Sequence, residues 1–229
     1  MDPLLRLLLI VVQSYLIGAI PSALIVSKRF FGFDIREKGS GNMGSTNVFR
    51  VMGWKAGLAV QVADIAKGLV AVVLVACFFE TEMPFTNRTP FEDETVVSLI
   101  AGISAVVGHI LSVFAGFKGG KGINTSLGVL IAVAPVEVAV AVGVFALLVL
   151  TSGYVSLGSI IAAMTVPSTM AFRHNILGVE IEGYHTIIYF LVVLSSIVIY
   201  AHRSNLKRLL SGTENRFTKL QLFKHRSRT

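Results

Sequence analysis

Six stretches of this chain, residues 4–26, 56–79, 95–115, 122–150, 156–172 and 185–201, are apolar for long enough to cross a hydrocarbon layer. That pattern leaves few folds open. Inside lipid every backbone polar group needs an internal partner, so stretches of this length and composition must be helical. Hydrophobic residues make up 54% of the 229 and charged residues 14%, at a mean hydropathy of +0.75, which leaves little room for a soluble domain. The first stretch has only Arg6 near its start and outruns a signal-peptide core, so it reads as a retained span even though it contains Gly18, Ala19 and Pro21. The single cysteine, Cys77, sits in an apolar run; it excludes an internal disulfide and a cysteine-rich metal site and is left with packing.

Residues 122–150 fit either one long helix or two short ones, and the charges decide between them. With a turn at Pro135-Val136-Glu137 there are seven spans, and 16 of the 20 Lys and Arg fall on one side: Lys28, Arg29, Arg36, Lys38, Arg50, Lys55, Lys118, Lys121 and the eight beyond Ala201. The other side then holds nine of the 13 carboxylates, Glu137 among them, with only Arg6, Arg88 and Arg173 for cations. Six spans would strand the basic tail on the far face, against the positive-inside rule. The expectation is an all-α, seven-helix integral membrane protein with its N terminus outside (periplasmic) and its C terminus cytoplasmic. Residues 1–214 form one transmembrane domain and residues 215–229 a basic cytoplasmic tail. The net charge of +7 is met by anionic lipid, with no need of nucleic acid.

Two loops on the basic side are built to hold anions. Residues 38–50, KGSGNMGSTNVFR, combine Gly39, Gly41 and Gly44 with Ser40, Asn42, Ser45, Thr46 and Asn47, and end in Arg50, whose fork grips phosphate. Asn47 and Arg50 are three apart and share a helical face if the loop runs into a helix. Residues 117–122, FKGGKG, place Lys118 and Lys121 around Gly119 and Gly120 at the mouth of the next span, where helix amides add positive potential. This is no Walker loop, since GxxxxGK[ST] is absent. His109 lies deeper, at the end of a span, where an ionisable residue is a functional candidate. Asp64 and Lys67 are spaced to pair on one helix face, which makes them structural support, and Ser156, Gly158 and Ser159 suit close helix packing. At the exit of the last span, His202 and Asn205 share a face beside Arg203, while Leu206, Leu209 and Leu210 can rest on the membrane surface. Lys28, Arg29, Lys55 and most tail cations serve topology and headgroup contact.

Three motifs together, GSGNMGSTNVFR, GHILSVFAGFKGGKG and HRSNLKRLLSGTE, resemble the cytoplasmic motifs of the bacterial acyl-phosphate:glycerol-3-phosphate acyltransferases, the PlsY family. SYLIGAIPSA in the first span and DIAKG around Asp64 fit as well, so the resemblance covers about residues 8–214. It implies transfer of a fatty acyl group from acyl phosphate to the 1-hydroxyl of glycerol 3-phosphate, giving lysophosphatidate and inorganic phosphate in phospholipid synthesis at the bacterial inner membrane. It implies that acyl-CoA and acyl carrier protein are not used directly, and that Ser40 and Arg50 match the essential pair of the first motif. Gly119 and Gly120 match the phosphate-binding second motif, and His202, Asn205 and Glu214 the third. Met43, Ser45 and the long tail depart from the family pattern.

The residues fit such chemistry independently. Both substrates carry phosphate, one of them on a long alkyl chain, so the reaction needs two anion cradles at a water-facing mouth backed by lipid. An acyl phosphate has a good leaving group, and positioning with charge stabilisation suffices without a protein nucleophile. The expected catalytic set is Ser40, Arg50, His109, Lys121 and Asn205. Gly39, Gly41, Asn42, Thr46, Asn47, Lys118, Gly119, Gly120, His202 and Arg203 are expected to bind substrate, and Asp64, Lys67 and Glu214 to support. His109 or a substrate phosphate oxygen accepts the hydroxyl proton; the sequence leaves both open. No metal, cofactor or obligate protein partner is expected, only the two substrates and membrane lipid. The His with Asp five residues later that soluble-type glycerolipid acyltransferases use is absent, and the cytoplasmic-side acids are too few for a metal-dependent CDP-alcohol phosphotransferase. A small phosphate or organophosphate carrier is the alternative of another class, but carriers are commonly built from internal repeats and none is apparent here.

Overall fold

The computed structural model describes residues 2–75, 93–181 and 183–216. Cys77, the end of the second apolar stretch, Glu80, Glu82, Arg88, Glu92, Glu182 and most of the tail lie outside the described residues. Among those described there is no strand, and six helical segments are long and apolar enough to cross a membrane. Contacts divide the chain into two compact units, residues 1–133 with 185–187, and residues 134–184 with 188–229.

In the first unit, α1 (Pro3–Ala19) opens on Asp2, whose carboxylate accepts the Leu4 and Leu5 amides, with Pro3 at the position where a missing N–H costs nothing. Pro21 breaks the span, α2 (Ser22–Val26) resumes it, and a π-helical turn, Ser27–Phe31, ends it at Gly32 in the left-handed region. At the break the Ser22 amide donates to Ile20 O at 3.0 Å, and polar side chains donate to two carbonyls there. Ser112 Oγ donates to Ala19 O at 2.5 Å and Lys67 Nζ to Ile20 O at 2.6 Å. The first loop leads into α3 (Ser45–Met52) and α4 (Trp54–Val70); α5 (Asp93–Ile110) and a short turn, Val113–Ala115, lead through the second loop to α6 (Ile123–Val133).

Small residues let these helices close up. A Cβ on Gly18 would strike Ala105 O and one on Gly108 would strike Tyr15 O, so α1 and α5 interlock reciprocally. Gly68 against Thr125 O and Gly128 against Ile65 O do the same for α4 and α6.

In the second unit, α7 (Pro135–Ser152) and α8 (Val155–Asn175) pack together, with Gly158 fitted between the Phe145 and Val149 side chains. Buried Glu137 in the first turn of α7 pairs with Arg173 in the last turn of α8, each at the helix end that favours its charge. α9 (Tyr184–Ala201) ends at His202, and α10 (Arg203–Leu210) follows directly.

Residues 122–150 are divided, as the charges suggested, but at Ala134 rather than at Pro135-Val136-Glu137. Pro135 begins the next helix, where its fixed φ is already helical, and Glu137 lies in its first turn. The first piece, α6, has 11 residues, below the usual span length, so among the described residues six helical segments have the length and apolarity of a span and α6 is a shorter apolar helix.

Candidate active site

The first loop is organised by one buried amide. Asn47, 2% exposed, takes the Ser40 N–H on Oδ1 at 2.9 Å and donates from Nδ2 to Lys38 O and Asn42 O, both at 3.0 Å. Gly39 and Gly41 have φ of 60° and 71°, and a Cβ on Gly39 would run into the Asn47 carboxamide, so this turn admits glycine. Asn42 Oδ1 accepts the Gly44 amide at 2.9 Å, closing an Asx turn ahead of α3. The outcome is an exposed Ser40 on a fixed backbone, Thr46 half-buried at the start of α3 and Arg50 exposed on the same helix. Asn47, expected to bind substrate, has its side chain committed to loop backbone.

His109 sits beneath the second loop. It is buried, its Nδ1 lies 3.8 Å from Asp64 Oδ1, and a Cβ on Gly120 would collide with its Nε2. Gly119 N donates to Ile110 O at 3.0 Å and Gly120 N to His109 O at 3.1 Å, so the diglycine lies flat across the end of α5. Lys118 stands exposed on one side of it and Lys121 half-buried on the other. Asp64 and Lys67 pair at 2.5 Å, both buried, as their spacing predicted. Lys67 reaches the Pro21 break and Asp64 faces His109, so the pair joins the first span to the floor of the second loop.

Side chains that the sequence did not single out tie the two loops together. Arg36 Nη1 donates to Ala115 O at 3.0 Å, and Asn124 Nδ2 donates to Ser45 Oγ at 2.8 Å. Arg36 is in turn held by Asp34, through Nε at 3.0 Å and Nη2 at 2.7 Å. The Arg36 hydrogen bonds hold the Asp34 carboxyl well below the usual carboxylate range. Tyr15 Oη donates to Leu111 O at 2.6 Å and braces the end of α5. The one sequence cue was the Asp-x-Arg at 34–36; a hydrogen bond 79 residues apart in the chain, such as Asn124 to Ser45, leaves none.

In the second unit, Glu214 gathers the third motif. Its Oε1 accepts from Asn205 Nδ2 at 2.6 Å and from Ser156 Oγ at 2.9 Å, and its Oε2 from Arg208 Nε at 2.7 Å. Burial alone would raise this carboxyl, but the bonds from Asn205, Arg208 and Ser156 outweigh it and leave its pKa lowered. His202 and Asn205 are both buried, and His202 Nδ1 lies 2.9 Å from Val198 O, which leaves Nε2 as its other polar atom. Arg203 is exposed, over the Tyr200 ring at 4.4 Å. Among the described residues no group of His, Cys, Asp and Glu is arranged to hold a metal ion.

Two loops lined with amides and lysines suit paired anions, and known proteins share this frame. A family model described as glycerol-3-phosphate acyltransferase matches residues 8–212. The glycerol-3-phosphate acyltransferase of Chlorobaculum parvum is 46% identical, covering 94% of this chain and 98% of that protein, and that of Chlorobaculum tepidum is 47% identical with the same coverage. Crystal structures of PlsY, an integral membrane glycerol 3-phosphate acyltransferase, superpose with TM-scores of 0.79 for the glycerol 3-phosphate form and 0.77 for the lysophosphatidic acid form, at 33% and 32% identity. The first covers 93% of this chain and 96% of its own, the second 94% and 97%. A match over nearly the whole length, with every signature loop inside it, means that this multi-pass integral membrane protein belongs to the glycerol-3-phosphate acyltransferase family.

Proposed function

We propose that the protein transfers a fatty acyl group from acyl phosphate to the 1-hydroxyl of glycerol 3-phosphate, releasing lysophosphatidic acid and inorganic phosphate. The hydroxyl oxygen attacks the acyl carbonyl carbon, the bond from that carbon to the phosphate oxygen breaks, and phosphate leaves with the electron pair. His109 or a phosphate oxygen of a substrate takes the hydroxyl proton, and no covalent acyl-enzyme forms. Ser40, Asn42 and loop amides hold the acyl phosphate near its carbonyl, while Arg50, Lys118 and Lys121 neutralise phosphate. Asn205 and His202 orient the attacking hydroxyl, Arg203 adds charge, and Gly39, Gly41, Thr46, Asn47, Gly119 and Gly120 shape the cradles. Catalysis rests on placing two activated partners and stabilising charge.

The reading extends to the whole frame. Residues 1–214 act as one seven-span domain in the bacterial inner membrane, N terminus outside, with all three motifs at the cytoplasmic face and the 215–229 tail beside them. Its partners are the two substrates and lipid.

The single observation that carries this proposal is the exposed Ser40 and the lysine-flanked diglycine on loops fastened to each other, within a family whose solved member has a glycerol 3-phosphate form. Purified protein in detergent, given acyl phosphate and glycerol 3-phosphate, is expected to release phosphate and form lysophosphatidic acid, and to do neither when acyl-CoA or acyl carrier protein thioester replaces acyl phosphate. Activity with the thioesters would overturn the donor assignment. Absence of product with every donor would leave a carrier as the reading.

A further inference from the structure

The second loop is bracketed by the first. Ala115, three residues before Lys118, receives Arg36, which lies four residues before Ser40. Asn124, three residues after Lys121, donates to Ser45, five residues after Ser40. Each end of the lysine-flanked segment is thus fixed to one end of the serine loop, by a side chain that leaves the reacting groups uncovered. Both fasteners are themselves restrained. Asp34 caps the Arg36 amide at 3.0 Å and grips its guanidinium, and Ala115 is buried at the close of its short turn, after which Phe117, at φ 59°, bends the chain back through a 2.7 Å bond to Ser112 O. Ser45 is 7% exposed at the first position of α3, and its partner Asn124 is the second residue of α6.

We propose that Arg36 and Asn124 are positioning residues, which set the gap between the serine loop and the lysine-flanked diglycine and thereby the distance between the two bound phosphates. The proposal rests on the acyl-transfer reading for its effect on rate and on geometry alone for its effect on the loops. Neither residue touches substrate. Each acts by holding a backbone segment, and misplacing reacting groups by about 1 Å costs on the order of 100-fold in rate. Such a loss falls on kcat more than on KM, because each cradle still holds its own phosphate.

The test uses the full chain in detergent, with R36A, R36K, N124A and the double variant R36A/N124A, assayed by phosphate release from hexadecanoyl phosphate at varied glycerol 3-phosphate. Each alanine variant is expected to lower kcat by about tenfold or more with KM changed less than about threefold. The R36K variant, which keeps the charge but cannot fork onto Asp34, is expected to recover part of the loss. The double variant should lose less than the product of the single losses, since both bonds serve one gap. Amide hydrogen exchange gives a readout without activity: residues 38–45 and 116–122 should exchange faster in both variants, with the helices unchanged. If kcat stays within about twofold in both alanine variants, or if loop exchange is unaltered, the bracket is overturned. Should R36A fail to fold, R36K and N124A decide the matter. An inactive wild-type chain would overturn the reaction instead, and the exchange rates would still decide the bracket.

Discussion

Asn47 holds the Ser40 amide at 2.9 Å while its own amide spans Lys38 O and Asn42 O, so one buried side chain defines the turn that presents the serine. Replacing it with alanine removes these bonds and leaves loop carbonyls to find other partners, at about 1–3 kcal/mol of stability. N47A is expected to lower the unfolding temperature in detergent and to reduce turnover sharply. The variant N47D keeps the acceptor for Ser40 but loses both donors, so it should fall between wild type and N47A.

Ser40 and Arg50 are exposed, and neither is needed to pack a core. S40A should therefore keep the unfolding temperature of the wild type, and phosphate release from acyl phosphate should be abolished both in S40A and in folded R50A. Near-normal turnover in either folded variant would remove that residue from the reaction. R50K, which keeps the charge but not the fork, should restore only part of the rate.

A methyl group at Gly119 would meet His109 O, which is backbone and cannot swing aside, whereas one at Gly120 would meet the His109 ring. G119A is expected to be the more damaging, with lost activity and a lowered unfolding temperature. Gly143, exposed on α7 with nothing near it, is the control. G143A should leave activity unchanged and stabilise by up to about 1 kcal/mol.

Asp64 and Lys67 were legible as a pair from their spacing alone, and the two glycine-rich basic loops were legible as distinct segments, because glycines, hydroxyls and cations stand out in a chain this apolar. The helix interiors were legible for the same reason. What the sequence could not display is how far apart in the chain the partners are. In the sequence Arg36 counts only as one more basic-side cation and nothing marks Asn124; the fold brings Ala115 and Ser45 to them. Asn47 was legible as important but not as a brace, since the residue type suits both roles. The break at 122–150 was placed near Pro135 from charge; its position one residue earlier follows from the preference of proline for the first helical turn.

Breaking the Asp64 and Lys67 pair from one side strands the other charge in the span. D64N or K67M alone is expected to cost about 3–5 kcal/mol, while the apolar pair D64L/K67M should recover much of it. Thermal unfolding of the three variants checks this. A double variant whose loss equals the sum of the two single losses would mean that the two charges are not coupled.

Glu214 has its pKa lowered in the folded chain, so the sign is that of a stabilising carboxylate. Its contribution is fully present above the ordinary value of about 4.3 and fades as pH falls through the lowered folded value. E214Q should therefore be less stable than wild type at neutral pH, with the difference shrinking in acid, and should loosen Asn205. Unfolding temperatures of both proteins across that range measure the convergence.

The glycine notches join helices of a particular kind. α1 leads toward the serine loop and α5 into the lysine loop; α4 follows the serine loop and α6 the lysine loop. Each interlock thus couples a carrier of one loop to a carrier of the other, within the first unit. One residue of axial slip moves a helix end by about 1.5 Å. The register of the two loops is therefore set between helices, where a single added methyl at a notch would shift the residues the loops carry.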